Sequence, residues 1–320
     1  MSWRSAIPTA YACEARRLHW DAIVVGAGIC GLATAYELAR RERRVLVIEA
    51  VGVGAEQSAG LARIFRIAHR DARLRELALT AREGWRRWER ELGVHLLGEE
   101  GLVLVGGMDG FEGEPLDAEA IRARLPILAP DVWHEAQLDP LAGAIRVRRT
   151  LDALAARLPV RLGTVTAIDP DGFVWVVDER LSASVVVVCA GLGTQPLITP
   201  LGLDLQLRTE PHTRFTYEPA GPSACFISPE TYGVPLGRTG RYAIGMHEPG
   251  AEGWVATAFP QLRAVGRIDC VSLFAPWLEH GDGFVELRAG RVIASGASNA
   301  MKFAPVIGER LAGLALGIEH

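Results

Sequence analysis

Short apolar runs alternate with a helical stretch at the start of the chain, and this order predicts a parallel β-sheet. Residues 22–25 and 45–48 are apolar and rich in β-branched side chains, whereas residues 29–41 between them are rich in Ala, Leu and Glu. A strand, a helix and a second strand in this order form a βαβ unit. Residues 185–188 are all valine, which predicts a central strand buried on both faces.

The remaining pattern divides into parallel-sheet pieces and a β-rich insert. Helices are predicted at 71–92, 117–125, 149–158 and 305–316, and strands at 102–105, 161–168, 173–177 and 291–294. Residues 208–271 alternate polar and apolar positions with many Gly and Pro, which indicates antiparallel β-structure. The predicted fold class is α/β (α+β overall), a Rossmann-type domain with an inserted antiparallel β-rich domain. The predicted boundaries are an extension at 1–20, a discontinuous Rossmann-type domain at 21–105, 146–200 and 285–320, and a second domain at 106–145 and 201–284.

Composition excludes several classes of partner. The 320 residues are 49% hydrophobic and 22% charged, with a net charge of −4, so neither nucleic acid nor an anionic membrane is indicated.

Five widely spaced cysteines fit neither a disulfide framework nor a zinc site, and we expect no metal and a cytoplasmic location. Arg16 and Arg17 precede an apolar stretch, but the glycines inside that stretch favour a cofactor site over an export signal.

Three glycines follow the first predicted strand directly. Gly26, Gly28 and Gly31 form a G-x-G-x-x-G motif at the start of the predicted helix. In such a motif the first glycine permits a tight turn, the second lets the backbone approach a pyrophosphate, and the third lets the helix pack on the strand. Since the N–H groups of a helix N-terminus attract anions, a dinucleotide site is predicted here.

An acidic residue ends the second predicted strand. Glu49 lies about 20 residues after the glycines, where a carboxylate accepts a hydrogen bond from a ribose hydroxyl. A carboxylate there would repel a 2′-phosphate, which disfavours NADP. The βαβ unit by itself leaves FAD and NAD as alternatives.

Further segments resemble the D-amino-acid oxidase superfamily, specifically its branch of monomeric sarcosine oxidase and N-methyltryptophan oxidase. The residues that carry the resemblance are Ser58 to Arg66 (S-x-G-x-x-R-x-x-R), Tyr232-Gly-Val-Pro, Ile244-Gly-Met-His, Cys270, and Lys302 to Glu309 (K-F-x-P-x-x-G-E). The resemblance implies FAD as cofactor, so the two predicted domains would be an FAD-binding and a substrate domain. It also implies oxidation of the C–N bond of a secondary amine or an N-substituted or cyclic amino acid, with hydride-equivalent transfer to flavin N5 and reoxidation by O2.

The resemblance also implies roles for individual residues. Arg66 and Lys302 would hold a substrate carboxylate, Arg63 would lie beneath the flavin, and Tyr232 and His247 would line the substrate cavity. The implied cofactor-binding set is Gly26, Gly28, Gly31, Glu49, Ser58, Arg63, Val165, Ala190, Gly191, Cys270 and Lys302. Cys270 would carry FAD as a covalent thioether, with a buried structural cysteine as the alternative. Tyr232 and His247 have core packing as their alternative, and Arg66 a surface ion pair.

The chain departs from the family pattern beside the flavin. Ala243 stands where the resemblance places an oxygen-activating lysine, and Arg241 is the nearest cation on that predicted strand. Ser298, Asn299 and Ala300 replace a Gly-His-Gly segment. Three functions therefore remain open. They are an FAD-dependent oxidase, a dehydrogenase that passes electrons to a carrier instead of O2, and a flavin-binding protein without turnover.

Overall fold

A computed structural model describes residues 19–221, 223–246, 250–274 and 283–318 of the chain. The predicted extension at 1–20 lies outside these residues except for its last two positions. The predicted site residue His247 also lies outside them.

The first sheet has eight strands and contains the predicted βαβ unit. Its strands are β1 (His19–Val25), β2 (Val45–Glu49), β8 (Val160–Leu162), β9 (Val165–Ile168), β10 (Phe173–Val176), β11 (Glu179–Val188), β17 (Gly283–Ala289) and β18 (Val292–Ser298). They are hydrogen-bonded in the order β17-β18-β11-β1-β2-β8, and β10 and β9 extend from β11. The pairs β18–β11, β11–β1, β1–β2 and β2–β8 are parallel. The valine run in β11 is buried at every position, as predicted for a central strand.

The second sheet is mostly antiparallel and also has eight strands. They are β4 (Leu102–Leu104), β5 (Glu114–Asp117), β6 (Glu135–Asp139), β12 (Arg208–Glu218), β13 (Cys225–Ile227), β14 (Thr231–Pro235), β15 (Tyr242–Met246) and β16 (Arg263–Phe274). Their order in the sheet is β16-β12-β15-β14-β13-β4-β6-β5. A separate ribbon joins β3 (Ala62–Phe65) to β7 (Gly143–Arg146). The predicted fold class, a Rossmann-type sheet with an antiparallel β-rich insert, is confirmed.

Seven α-helices lie within the described residues. They are α1 (Ile29–Ala39), α2 (Ala72–Leu92), α3 (Ala118–Arg124), α4 (Val147–Ala155), α5 (Thr194–Ile198), α6 (Glu252–Ala258) and α7 (Ala300–Ala315). The closing helix α7 begins earlier than the predicted start at residue 305. Proline is favoured in the first turn of a helix, but Pro305 lies inside α7 and is buried. Tertiary packing therefore overrides its local preference for a helix start.

Alternate residues of the first sheet enter two different cores. Val24, Val47 and Val187 face a layer formed by α1, α2, α4 and α7, whereas Ile23, Ile48 and Val186 face the opposite side. This alternation is the period-two pattern of a strand buried on both faces. It holds the carboxyl ends of β1 and β2 in place, and ligands of open α/β sheets bind at such strand ends. Within the described residues, no helix is long and apolar enough to cross a membrane.

Candidate active site

The glycine turn between β1 and α1 is shaped by two close backbone approaches. Gly26 has a φ of +102°, and a Cβ added there would lie 2.5 Å from the carbonyl oxygen of Cys189. A Cβ at Gly31 would lie 1.9 Å from the carbonyl oxygen of Gly26. Side chains are therefore excluded at both positions, and α1 begins directly against the end of β1. Its N-terminus opens at Gly28, which has extended backbone angles.

Glu49 and Ser58 hold this turn from two sides. The Glu49 carboxylate accepts hydrogen bonds from the backbone N–H groups of Ala27 at 2.6 Å and Val51 at 2.9 Å. The Ser58 hydroxyl accepts one from the N–H of Ile29 at 2.9 Å, so it satisfies one of the free donors at the start of α1. Both predicted cofactor residues therefore lie at the helix N-terminus that the glycine motif creates.

A single cavity of about 1690 Å³ extends from this turn to the second sheet. Every predicted site residue within the described part of the chain lines it, except Gly31, which packs between α1 and β1. The lining set is Gly26, Gly28, Glu49, Ser58, Arg63, Arg66, Val165, Ala190, Gly191, Tyr232, Cys270 and Lys302. The cavity exceeds the usual 300–1,000 Å³ of a small-molecule site, as a dinucleotide with a substrate beside it requires.

Two cations approach the cavity from distant parts of the chain. Arg66 follows β3 and donates to the carbonyl oxygen of Ala68 at 2.7 Å. Lys302 lies in the first turn of α7, is only 6% exposed, and its Nζ lies 5.4 Å from the centre of the Phe303 ring. Charged side chains this deeply buried are rare unless they have a partner. The structure thus brings together the two residues for which a carboxylate contact was predicted.

His69 lies beside these cations and was not identified from the sequence. It lines the cavity, its side chain is 2% exposed, and its Nε2 has no hydrogen-bond partner among the described residues. Burial, followed by the positive charges of Lys302 and Arg66, holds the pKa of His69 far below its ordinary value of 6.5. The imidazole is therefore neutral at physiological pH.

A second group of side chains lies where the cavity meets the second sheet. Arg63 donates to the backbone carbonyl oxygens of Ala59 at 2.6 Å and Ala62 at 3.0 Å. Burial and the neighbouring guanidinium of Arg214 lower the pKa of Arg63 to about 10. Arg214 in turn lies 3.4 Å from the Sγ of Cys270. Arg214 was missed because only strand register brings it to the cavity, and His69 was missed because it lies in the loop between β3 and α2.

The position of Tyr232 depends on a glycine across the sheet. Tyr232 in β14 lies directly opposite Gly245 in β15. A Cβ on Gly245 would be 2.1 Å from Cζ of the tyrosine, so the ring lies flat across the neighbouring strand. Burial raises the pKa of Tyr232, although Arg214 and Arg63 act in the opposite direction. A glycine inside a predicted strand was the signal in the sequence for this close approach.

The cation nearest to Ala243 in sequence does not reach the cavity. Ala243 is partly buried in β15, whereas Arg241 is exposed just before this strand. The Nε of Arg241 donates to Glu218 at 3.1 Å, and Arg241 does not line the cavity. Arg241 is therefore excluded as a replacement for a lysine at position 243.

Oxidoreductases that use a nucleotide cofactor join a Rossmann-type turn to a substrate cavity, and this fold and cavity place the chain in that class. The chain belongs to the family of FAD dependent oxidoreductases, which it matches over residues 21–314. FAD, predicted from the resemblance, is confirmed as the cofactor of the family. The glycine turn, Glu49 and the free N–H groups of α1 are suited to its adenosine and pyrophosphate half.

Similar proteins fall in the group that the sequence predicted. The chain is 30% identical to the peroxisomal sarcosine oxidase of Homo sapiens over 214 residues, covering 59% of this chain and 55% of the relative. It is 30% identical to the monomeric sarcosine oxidase of Streptomyces avermitilis over 217 residues, covering 60% and 56%. The alignment thus spans about half the length of these relatives.

Solved structures extend the similarity over more of the fold. NikD, an unusual amino acid oxidase essential for nikkomycin biosynthesis, is 25% identical with a TM-score of 0.80, covering 94% of this chain and 95% of NikD. Glycine oxidase from Geobacillus kaustophilus, at 20% identity, has a TM-score of 0.80 and coverages of 94% and 96%. At 20% identity, the similarity to glycine oxidase shows a shared fold and nothing further.

Proposed function

We propose that this chain oxidises the C–N bond of a secondary amine or of an N-substituted or cyclic amino acid. When bound, FAD supplies the acceptor of a hydride equivalent at N5, and O2 reoxidises it. The sarcosine oxidases and the amino acid oxidase among the similar proteins support this reaction class by their names. We further propose the division into an FAD-binding and a substrate domain given above, and a cytoplasmic location.

The observation that carries the proposal is the convergence of Arg66 and Lys302 on one cavity. Their charges come from elements far apart in the chain, and a carboxylate is the substrate group that two cations recognise best. Because His69 stays neutral beside them, the carboxylate meets two cations instead of three. A carboxylate fixed in this way orients the adjacent C–N bond for reaction.

Cys270 is the proposed attachment point for a covalent flavin. Cys30 and Cys189 also line the cavity. Burial raises the pKa of Cys30 to about 12 and that of Cys189 well above its ordinary value. A thiol with a raised pKa is a poor nucleophile. At Cys270, Arg214 donates to the sulfur at 3.4 Å.

Anaerobic reduction of the flavin tests the reaction directly. We expect N-methyl amino acids and proline- or pipecolate-like rings to bleach the bound flavin, and the corresponding amines without a carboxylate to do so more slowly. If none of the amines or amino acids bleaches the flavin, the proposal is wrong and the chain is a flavin-binding protein without turnover.

A dehydrogenase is the second candidate, and Ala243 is the observation that favours it. Without a lysine there, O2 lacks one preorganised charge to stabilise the anion formed as it is reduced. Release of H2O2 and reduction of an artificial dye are compared for the same substrate. Rapid H2O2 formation supports the oxidase, whereas dye reduction without H2O2 supports the dehydrogenase.

A further inference from the structure

Strand register places a second arginine on the cavity face of the antiparallel sheet. Arg214 in β12 lies opposite Gly245 in β15, which in turn lies opposite Tyr232 in β14. Directly opposite residues of antiparallel strands share one face of the sheet. Arg214, Gly245 and Tyr232 thus form one row across three strands, and Arg214 and Tyr232 both line the cavity.

Ala243 belongs to the next row of the same face. It lies two residues before Gly245, so both point to the same side of β15. Its neighbours in that row are Thr216 and Val234, which carry no charge. A side chain on a diagonal position of the sheet lies within reach of a long residue. Arg214 is the cation diagonal to Ala243, and its Nη2 lies 3.4 Å from the Sγ of Cys270 in β16.

Arg214 and Arg63 form a pair of like charges. A Cβ added at Gly60 would lie 2.8 Å from Nη1 of Arg63 and 3.7 Å from Nη2 of Arg214, so both guanidiniums approach one point. Neither arginine forms an ion pair with a described residue, and the buried Nε of Arg214 has no hydrogen-bond partner among those residues. Two adjacent, partly buried cations are unfavourable unless an anion joins them.

Three of the acids that line the cavity are engaged elsewhere. Glu210 pairs with Arg208 at 2.7 Å, and Asp269 accepts from Arg267 at 3.0 Å. Glu49 accepts from the backbone of the glycine turn. No acid in the described part of the chain forms an ion pair with Arg63 or Arg214, so a bound anion would supply the missing negative charge.

We propose that Arg214 is a second cation, beside Arg63, for the negative charge that the flavin carries after reduction. This inference rests on the proposed function. Oxidation of one C–N bond delivers two electrons and one proton to FAD as a hydride equivalent. When bound, FAD would return both electrons and that proton to O2, which takes one more proton from water and leaves as H2O2. Arg214 favours the anionic reduced form of the cofactor.

Sulfite binding tests the proposal without turnover, because sulfite adds to flavin N5 and leaves negative charge on the ring. The holoprotein is compared with Arg214→Leu, Arg214→Lys and the control Arg241→Leu, whose exposed arginine pairs with Glu218. We expect Arg214→Leu to weaken sulfite binding at least about tenfold and to lower the midpoint potential of the bound flavin. Arg214→Lys should keep most of the sulfite affinity and of the midpoint potential, and Arg241→Leu should change neither quantity.

Two results would overturn the proposal. One is an Arg214→Leu holoprotein with unchanged sulfite affinity and midpoint potential. The other is equal loss of folded protein in the Leu and Lys variants, because Arg214 would then serve the fold. Failure of the proposed function is distinct. In that case amines do not bleach the wild-type flavin, while its sulfite affinity still depends on the charge at position 214.

Discussion

The carboxylate of Glu49 accepts a hydrogen bond from the backbone N–H of Ala27 at 2.6 Å, across the turn between Gly26 and Gly28. The carboxylate thus connects the end of β2 to the turn that follows β1. It is fixed before any ribose arrives, so that little side-chain freedom is lost on binding.

Replacing Glu49 by Ala should weaken FAD binding by about 1.5–3 kcal/mol, because a charged hydrogen-bond acceptor is lost and the glycine turn loses its support. The change is measured in a Cys270→Ala background, in which no covalent link can form, by titrating the apoprotein with FAD and following flavin fluorescence. Glu56→Ala is the control, since Glu56 is exposed at the same cavity. Equal affinities of wild type and Glu49→Ala would contradict the ribose role.

Lys302→Met should weaken the binding of a carboxylate substrate by about 2–5 kcal/mol, because it removes a buried charge from a charge pair. The measurement is the KM for an N-methyl amino acid and for the matching amine without a carboxylate. We expect the variant to lose most of the preference for the acid. An unchanged preference would assign the carboxylate to other residues.

Cys270→Ala should release its flavin when the protein is precipitated with acid, whereas wild type and Cys30→Ala should keep the yellow colour in the pellet. The reason is that a thioether survives denaturation and non-covalent contacts do not. Flavin released from the wild type would exclude the covalent link and leave the FAD assignment intact.

Glu37→Ala should lower the free energy of unfolding by about 1–3 kcal/mol, because the buried indole N–H of Trp88 loses its acceptor, while Arg87 keeps a second carboxylate in Glu309. The fully buried Glu37 carboxylate accepts from Arg87 at 2.6 Å and from Trp88 at 2.9 Å, which join α1 to α2. Guanidinium unfolding measures the loss. Glu91→Gln, at a more exposed ion pair with Arg40, should cost about 1 kcal/mol or less.

His69 should make the protein less stable in mild acid. Its pKa is lowered by burial and by Lys302 and Arg66, so below the ordinary value of 6.5 the unfolded chain takes up a proton that the folded chain refuses. Stability from this group is fully present above pH 6.5 and falls by up to about 1.4 kcal/mol per pH unit below it. His69→Gln should lose less stability between pH 8 and pH 5.5 than wild type, measured by urea unfolding. The exposed His134→Gln is the control.

Local sequence was sufficient for the nucleotide half of the site. Gly26, Gly28, Gly31 and Glu49 lie within one βαβ unit, where the chemistry of a tight turn and a helix N-terminus depends on neighbouring residues alone. The resemblance added Arg63, Arg66, Tyr232, Cys270 and Lys302, all of which line the cavity, and their roles stay predictions. The start of α7 was misplaced because Pro305 has a local preference that the buried helix overrides.

By itself, then, the sequence determined that the cofactor is a dinucleotide, in which order the elements follow, and where the glycine turn lies. Each of these depends on contacts between residues close in the chain. Only the tertiary structure decided that Arg214 stands beside Arg63, that His69 is neutral, and that Arg241 turns away to Glu218. The physical reason is that charge acts through space. Which cations share a cavity depends on the pairing of β12, β14 and β15 and on burial, and neither can be read from local sequence spacing.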